Sequence, residues 1–398
     1  MVLLRDPMAP LTRDVAPAMR RSIRVRPDWV LIGTALTLSL IGAILVWSAT
    51  RTRLEESGQN PQSYLYRHLF NIVVAAVLLF VTSRLDSRLL RLLGPVIYVL
   101  SLLGLMAVFV VGSTINGAHA WIRLGGGFEI QPAEFMKLGL IIGMAVTFAQ
   151  RASGRISGSE EYPASSPRTS DILICLALAA VPLGLIMLQP DLGSAMVLSA
   201  AAFGLLIAAG VRARWTIGLI LVGVLGAILA VKGGVLAEYQ LARFGSFTHP
   251  NLDPQGASYN VTQAHIAIAH GGLWGAGLFH GPQTRGAFVP EQQTDFVYSV
   301  AGEEFGLVGA AVIIGLFGLL CWRALRIAAR ADMIGRLVAA GVVCWIAFQA
   351  FQNIGMNLGL TPVTGLPLPF VSYGGSSMFA QGIALGLLIG IDRQARRN

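Results

Sequence analysis

One stretch decides how this chain is interpreted: Thr361-Pro-Val-Thr-Gly-Leu-Pro-Leu-Pro-Phe370-Val-Ser-Tyr-Gly-Gly-Ser-Ser377. It places three prolines and three glycines between two apolar runs, each long enough to cross a bilayer. Irregular backbone at that depth persists only where it is buried in protein or lines a cavity, because an unpaired backbone group facing lipid costs several kcal/mol. The stretch therefore predicts a membrane protein with a functional cavity.

The whole chain has the composition of a polytopic membrane protein. Its mean hydropathy is +0.67 and 12% of its residues are charged. Apolar runs near the length that a helix needs to cross hydrocarbon recur along the 398 residues. We predict an all-α integral membrane protein with about ten transmembrane helices and one long extracytoplasmic loop at 232–295. The predicted spans are 29–50, 67–83, 92–112, 133–150, 172–188, 192–210, 214–231, 296–320, 336–358 and 371–391.

Lys and Arg residues set the predicted orientation, because cytoplasmic loops retain positive charge. Most of the 29 Lys and Arg residues fall in the N-terminal leader, in alternate loops and after the last span, so both termini are predicted to be cytoplasmic. We divide the chain into a basic tail at 1–28 without a cleavage site, a transmembrane domain at 29–392 and a tail at 393–398. This topology and contact with anionic headgroups account for the net charge of +9, so nucleic acid is not an expected partner.

Two connections differ from the short turns elsewhere. The inner loop 151–170 is rich in Ser, Gly, Pro and charge and is predicted to be a linker. The outer loop contains the segment 259–272, which is too short to span and suits an interfacial or re-entrant helix. Long ordered loops usually carry function, so the working site is expected on the outer side.

Several common chemistries lack support in the sequence. The three cysteines Cys175, Cys321 and Cys344 lie in or beside apolar spans without CxxC spacing, which favours neither disulfides nor zinc. No nucleotide-binding loop of the GxxxxGK[ST] type and no GxSxG motif occurs, so ATP-driven transport and serine hydrolysis are not expected. The histidines show no metal-binding spacing, and no metal site is predicted; they are His68, His119, His249, His265, His270 and His280.

Asp295 is the leading candidate for a catalytic group. It lies in Pro290-Glu-Gln-Gln-Thr-Asp-Phe296, where the long outer loop meets the eighth span, and is predicted to occupy the first turn of that helix. The helix dipole favours a carboxylate there, and a carboxylate can accept a proton from a bound hydroxyl. The alternative is an acid that only complements the dipole.

Glu134 and Lys137 are separated by three residues at the outer end of the fourth span, so both project from one helical face. Charges at that depth indicate a functional site, with Lys137 as a clamp for an anion. The alternative is a structural ion pair between helices.

The other ionisable groups near the outer side support two interpretations each. Glu303 and Glu304 project to different sides of the eighth span and cannot both face one cavity, so a packing role is favoured for either. Asp191 can be a helix cap or a site acid. Four outer cations can hold a phosphate or extend to lipid headgroups: Arg123, Lys232, Arg243 and Arg285.

Several motifs in order along the chain resemble the SEDS family, which serves shape, elongation, division and sporulation. They are Gly117-Ala-His-Ala-Trp121-Ile-Arg, Gln131-Pro-Ala-Glu-Phe-Met-Lys137, Gln189-Pro-Asp-Leu-Gly193, Pro290-Glu-Gln-Gln-Thr-Asp-Phe296 with Gly302-Glu-Glu-Phe-Gly306, and Pro369-Phe-Val-Ser-Tyr-Gly-Gly-Ser-Ser377. The segment Pro362-Val-Thr-Gly-Leu-Pro-Leu-Pro is more similar to the rod-shape (RodA) branch than to the division branch. One departure is Gln293, where many members have His.

The resemblance implies a peptidoglycan glycosyltransferase in the bacterial cytoplasmic membrane. Such an enzyme polymerises lipid II at the outer face, inverts an α-linked undecaprenyl diphosphate donor to a β-1,4 glycan, and works with a class B penicillin-binding protein that crosslinks the product. The family's essential aspartate falls on Asp295. Trp121, Glu134, Lys137 and Ser372 match positions where the family keeps its cavity residues. Arg285, Arg243 and Ser376 complete the predicted substrate-binding set.

Lys137 and Arg285 are the candidates for stabilising the leaving diphosphate, and a divalent cation such as Mg²⁺ can share that task. No other cofactor is expected. Two alternatives remain open: a flippase that moves the lipid-linked precursor without chemistry, and a noncatalytic scaffold for wall synthesis.

Overall fold

The computed structural model describes residues 27–115, 117–125, 128–156, 167–233 and 257–397, and these are predominantly helical. The first seven helices are α1 (Trp29–Glu56), α2 (Ser63–Thr82), α3 (Ser87–Val111), α4 (Pro132–Ile156), α5 (Thr169–Leu188), α6 (Leu192–Ala208) and α7 (Ala213–Lys232). The remaining helices are α8 (Ala257–Gly271), the short α9 (Pro282–Arg285), α10 (Val297–Ala328), α11 (Met333–Asn357) and α12 (Gly375–Ala395).

Each predicted span corresponds to one of the long helices. Within the described ranges, eight helices are long and apolar enough to cross a membrane, and Leu192–Ala208 and Ala213–Gly226 are shorter apolar helices. The polytopic helical class is therefore confirmed. The last helix starts four residues later than the predicted span 371–391, because the proline-rich segment stays irregular up to Gly374.

A small antiparallel sheet interrupts the helices, which the all-α prediction missed. It contains β1 (Ser113–Ile115), β2 (Ala118–Gly125) and β3 (Phe128–Ile130) in the order β1-β2-β3. Ser113 pairs with Trp121 and Ile122 pairs with Ile130. The sheet connects α3 to α4 and places Trp121 at the end of the bundle where α4 begins.

The buried centre of the bundle consists of α4, α11 and α12, whose apolar side chains are mostly inaccessible. The helices α2, α3 and α7 lie at the periphery and expose apolar side chains. Exposed apolar side chains are expected where a helix faces lipid.

Helix α12 packs very closely against α2 and the turn that follows it through three glycines. A Cβ on Gly382 would lie 2.5 Å from the Ala75 carbonyl oxygen in α2, and one on Gly390 would lie 2.6 Å from the Leu85 oxygen in the turn after α2. Gly386 is equally tight, because a Cβ there would overlap the Thr82 side chain. Small residues at every fourth position let two segments of backbone approach each other.

The loop between α8 and α10 is joined to a break in α10. Gly306 has φ 65° and ψ −165°, which interrupts the helix. The amides of Leu307 and Val308 donate to the Gly272 and Leu273 carbonyls, at 2.9 and 3.2 Å. In return, the amides of Ala276 and Gly277 donate to the Glu303 and Glu304 carbonyls, at 2.9 and 3.1 Å. The loop therefore supplies the partners that a continuous helix would have supplied to itself.

Of the predicted loop 232–295, residues 234–256 lie outside the described residues. The helix predicted at 259–272 is confirmed as α8. Its interfacial or re-entrant placement remains a prediction. The linker predicted at 151–170 is partly helical, since α4 continues to Ile156 and α5 begins at Thr169.

Candidate active site

The described residues enclose a cavity of about 290 Å³ at the end of the bundle where α2, α4, α6 and α12 begin. Helix amino termini carry partial positive charge, which partly offsets the acidic side chains that line the cavity. The lining residues used below are Arg67, Asn71, Trp121, Glu129, Gln131, Glu134, Asp191, Glu291, Thr294, Asp295, Tyr373, Gly374, Gly375, Ser376 and Ser377.

Asp295 lines this cavity and is partly buried. It precedes the cap residue Phe296 of α10, so it lies just before the helix and not in its first turn as predicted. Its backbone carbonyl accepts from the side-chain amides of Asn353 at 2.8 Å and Asn357 at 3.1 Å. Its backbone amide donates to Glu291 at 3.0 Å. The backbone of Asp295 is therefore fixed independently of its carboxylate.

Buried carboxamide side chains of α11 donate hydrogen bonds to backbone carbonyls of the proline-rich segment. The side chain of Gln349 donates to the Pro367 carbonyl at 2.9 Å, and that of Gln352 donates to the Pro362 carbonyl at 2.9 Å. The side chain of Asn353 donates to the Leu366 carbonyl at 2.7 Å. These bonds explain how irregular backbone persists between two apolar helices. Sequence reasoning missed them, although four carboxamides at 349, 352, 353 and 357 in an apolar span are a visible signal.

Ser372 joins the proline-rich segment to the Asp295 loop. Its hydroxyl donates to the Thr294 carbonyl and accepts from the Leu368 amide at 2.8 Å. The next amide, of Tyr373, donates to the Gln293 carbonyl at 2.9 Å. Ser372 lies behind the cavity wall and holds the loop in place.

Glu134 and Lys137 form a buried ion pair. The Lys137 Nζ donates to Glu134 Oε1 at 2.7 Å and to Gln349 Oε1 at 3.0 Å, and it lies 5.0 Å from the centre of the Trp345 ring. The side chain of Lys137 is 0% exposed and does not line the cavity, whereas Glu134 does. The geometry matches the structural ion pair more closely than a clamp in direct contact with an anion. Glu134 Oε2 is buried without a hydrogen-bond partner.

Trp121, Ser376 and Asp191 line the cavity, as their assignment to a site requires. The Ser376 hydroxyl accepts from the Gln131 amide at 3.0 Å and donates to the Glu129 carbonyl at 3.2 Å, which ties α12 to the sheet. Asp191 caps α6 by accepting from the Ser194 amide at 2.9 Å, so the predicted cap is confirmed, whereas its role as a site acid remains a prediction.

Of the predicted phosphate-binding cations, those within the described residues do not line the cavity. Arg285 ends α9, is exposed and does not line the cavity. Arg123 is exposed and pairs with Glu129 at 3.3 Å. Arg243 lies outside the described residues. Among the described residues, Arg67 is the one cation that lines the cavity. Sequence reasoning passed over Arg67, because an Arg at the start of a predicted span looks like an interfacial flank.

Glu303 and Glu304 face different neighbours, as their spacing predicted. Glu303 accepts from the Gln283 and Thr284 amides, both at 2.8 Å, and from the Thr284 hydroxyl at 2.6 Å. Glu304 accepts from the Ser48 hydroxyl and from the Phe279 amide at 3.1 Å. Both carboxyl groups therefore fasten the segment between α8 and α10 to the bundle.

The cavity carboxylates are spread along its wall. Across the part of the chain that the structure describes, no three His, Cys, Asp or Glu side chains are grouped so as to hold a metal ion. A divalent cation could bind here through one or two carboxylates together with substrate phosphates, which is the usual arrangement for Mg²⁺.

Sequence comparison identifies relatives across nearly the full chain. The family model described as cell cycle protein, FtsW/RodA/SpoVE, matches residues 28–397. A protein named probable peptidoglycan glycosyltransferase FtsW, from Alkalilimnicola ehrlichii, is 38% identical over 93% of this chain and 90% of its own. Stage V sporulation protein E of Bacillus subtilis is 34% identical over 94% of this chain and 99% of its own.

Solved structures show the same fold. A chain from work on structural coordination of polymerization and crosslinking by a peptidoglycan synthase complex aligns with a TM-score of 0.74 and 30% identity, over 94% of this chain and 100% of that one. The rod shape determining protein RodA of Thermus thermophilus aligns with a TM-score of 0.67 and 31% identity, over 93% of this chain and 98% of that one. The resemblance seen in the motifs is thus confirmed, and the chain belongs to the SEDS family of FtsW, RodA and SpoVE.

Proposed function

We propose that this protein is a peptidoglycan glycosyltransferase that polymerises lipid II into β-1,4 glycan strands at the outer face of the bacterial cytoplasmic membrane. The observation that carries the proposal is the position of Asp295, a carboxylate on the wall of a cavity with its backbone anchored from α11. Relatives named as glycosyltransferases support the same reaction class.

In the proposed reaction, Asp295 accepts the proton of the acceptor 4-hydroxyl while that oxygen attacks the anomeric carbon of the donor. The bond between the anomeric carbon and the diphosphate oxygen breaks, and the diphosphate leaves with the electron pair. One displacement inverts the α-linked donor to a β-linked product, so one carboxylate base is enough. The leaving group is already an anion and needs positive charge more than a proton.

The anchored backbone gives Asp295 its advantage as a base. A proton acceptor must lie within hydrogen-bonding distance of the hydroxyl, and small displacements reduce the rate strongly. Asn353 and Asn357 bind the carbonyl of Asp295, so the position of its Cα is fixed before the substrate arrives.

Polymerisation by the purified protein in lipid nanodiscs, with labelled lipid II, tests the proposal. We expect the wild type to form glycan strands and Asp295→Asn to lose at least about a hundredfold in rate, the scale of losing a general base. Glu55→Gln is the matched control, because Glu55 is exposed, pairs with Arg51 and lines no part of the cavity. Polymerisation by Asp295→Asn at the wild-type rate would remove the base assignment.

A flippase is the competing function, and its test is separate. Proteoliposomes with lipid II in both leaflets allow translocation to be scored independently of polymer formation. Translocation without polymer in the wild type would replace the proposed function. Wild-type binding to partner proteins with neither activity would favour the scaffold.

We extend the proposal to a crosslinking partner of the class B penicillin-binding type, in keeping with the synthase complex to which one structural relative belongs. The elongation role expected from Pro362-Val-Thr-Gly-Leu-Pro-Leu-Pro remains a prediction, because relatives named FtsW and SpoVE are at least as similar in sequence as RodA. Rescue of a strain depleted of its elongation polymerase, without rescue of one depleted of its division polymerase, is the expected outcome.

A further inference from the structure

The amino terminus of α12 opens into the cavity without a capping side chain. Gly374 is its cap residue, and the first intrahelical bond from this end runs from the Met378 amide to the Gly374 carbonyl. By helix geometry the amides of residues 375–377 point out of the helix end. The nearby hydroxyls are used elsewhere, since Ser376 binds the sheet and Ser377 accepts from Gln381 at 2.7 Å.

Two glycines at this terminus have free space around them. A Cβ on Gly375 would find its nearest neighbours at 3.5 Å and beyond, and one on Gly374 would lie 3.8 Å from the Ser377 Cβ. Both are ordinary contact distances, and Gly374 has an extended backbone with φ 172° that any residue can adopt. This contrasts with the three glycines that press α12 against α2. Packing within the protein does not require glycine here, whereas close approach of a ligand to the backbone does.

Two residues of α2 complete the surroundings of this terminus. Arg67 brings a guanidinium to the cavity. Asn71 follows one turn later, is only 4% exposed, and its Oδ1 is buried without a hydrogen-bond partner. The same oxygen would be 3.5 Å from a Cβ on Gly375, so it lies beside the helix terminus. A buried polar atom without a partner in the protein indicates a group supplied by a ligand.

We infer that the amino terminus of α12 and Arg67 bind the diphosphate of a polyprenyl-linked sugar, and that Asn71 Oδ1 accepts a hydrogen bond from an N–H or O–H group of that sugar. Backbone amides at a helix terminus and an Arg side chain are the two main ways in which proteins bind phosphate. The sugar adds the donor that Asn71 lacks. The choice of a sugar diphosphate rests on the proposed function, whereas the diphosphate chemistry rests on the site itself.

Acidic side chains line the same cavity, namely Glu129, Glu134, Asp191, Glu291 and Asp295. Glu129 is paired with Arg123, Glu134 is paired with Lys137, and Asp191 caps α6. Arg67 also hydrogen-bonds the Tyr373 side chain, just before the α12 terminus. A diphosphate at this terminus therefore depends on Arg67 and the helix amides for its positive partners. Beyond Arg67, α2 exposes apolar side chains such as Val73 and Val77, along which a lipid chain can lie.

Binding to the purified protein tests this subsite without relying on catalysis. The probe is a fluorescent polyprenyl diphosphate in phosphatidylcholine nanodiscs that hold the full chain. We expect Arg67→Gln and Gly375→Ala each to raise the Kd by about tenfold, the effect of losing one charge-assisted contact. Arg51→Gln and Gly184→Ala are the matched controls, because Arg51 lines no part of the cavity and no atom lies within 4 Å of a Cβ on Gly184.

Two further binding measurements distinguish a polyprenyl diphosphate from a lipid headgroup as the source of the phosphate. We expect inorganic pyrophosphate to compete with the probe, and nanodiscs containing phosphatidylglycerol to bind the probe as tightly as those of phosphatidylcholine alone. Wild-type affinity in both Arg67→Gln and Gly375→Ala would overturn the inference, as would displacement of the probe by phosphatidylglycerol. A protein that binds the probe through Arg67 but does not polymerise lipid II would refute the proposed function alone.

Discussion

At the scale of single residues, Asn353 shows how the chain positions its candidate base. One carboxamide donates to the backbone of Asp295 and to Leu366, so it joins the loop before α10 to the proline-rich segment. The spacing of Asp295 in the sequence predicted a carboxylate at a helix start. It did not predict that the group precedes the helix, because the partners that hold it are about 60 residues further along the chain.

Asn353→Ala should reduce both stability and polymerisation. The Leu366 carbonyl would lose its donor and the Asp295 carbonyl would lose one of its two, and an unsatisfied buried group costs about 1–3 kcal/mol. We expect a lower thermal midpoint and at least about a tenfold lower rate, since the base would also lose one of its two anchors. Ser199→Ala is the control, because the Ser199 hydroxyl makes only a local bond within α6. An unchanged rate in Asn353→Ala would show that the anchor is dispensable.

The Glu134 and Lys137 pair makes a second prediction at this scale. Lys137→Met should destabilise the protein by about 3–5 kcal/mol, because Glu134 would remain buried without its cation. The double variant Glu134→Gln with Lys137→Met should recover much of that loss, since both charges are removed. Thermal unfolding of the three proteins measures the coupling. Equal destabilisation in the single and double variants would contradict a structural ion pair.

At the scale of elements, the break in α10 determines how the loop between α8 and α10 docks. Gly306 has positive φ, and a Cβ there would lie 2.4 Å from the Gly275 amide nitrogen. The sequence showed an apolar run with a Gly in it, which is compatible with an unbroken helix. The hydrogen bonds between the backbone of residues 272–277 and α10 explain why this glycine interrupts the helix. The predicted spans did not show that these two segments meet.

Gly306→Ala should detach the loop from α10. The new side chain is strained by its backbone conformation and collides with the loop, so we expect a lower thermal midpoint and faster proteolysis between α8 and α10. Gly315→Ala in the same helix is the matched control, because no atom lies within 4 Å of a Cβ there. Loop proteolysis at the same rate in both variants would contradict this account.

The sheet between α3 and α4 could not be predicted from the pattern of apolar residues. Its outer strands have three residues each, too few for an alternating pattern to appear, and β2 is irregular in register where it meets each neighbour. The motif around Trp121 was visible, whereas the strand pairing that turns Trp121 toward the cavity was not.

At the scale of the whole molecule, a charged cluster ties three helices together at the end opposite the cavity. Asp28 caps α1 and forms ion pairs with Arg323 near the end of α10 and with Arg396 after α12. Burial alone would raise the pKa of Asp28, but hydrogen bonds from Arg323 and the Leu31 amide, with the two positive charges, lower it on balance. The recurrence of apolar runs predicted the helices, whereas this tie between distant segments was not predictable from spacing.

The cluster predicts a pH dependence of stability. A carboxyl group with a lowered pKa stabilises the folded protein above its unfolded value of about 3.9, and that contribution disappears as pH falls through the lower folded value. We therefore expect Asp28→Asn to lower the thermal midpoint at pH 7, with the difference from wild type shrinking below about pH 4. Asp86→Asn, which removes the cap of α3 at an exposed site, is the control. A difference that stays constant down to the lowest pH would exclude the ionised Asp28 as its cause.

The contact of α12 with α2 restricts how the molecule can open. Because the backbone of α12 touches α2 at Gly382 and Gly386 and the following turn at Gly390, neither helix can slide or roll without a collision, so the two move as one rigid unit. A bulky lipid that enters from the side must then pass between other helices of the bundle. The amino terminus of α12 and Arg67 of α2 would keep their relative positions while the lipid enters.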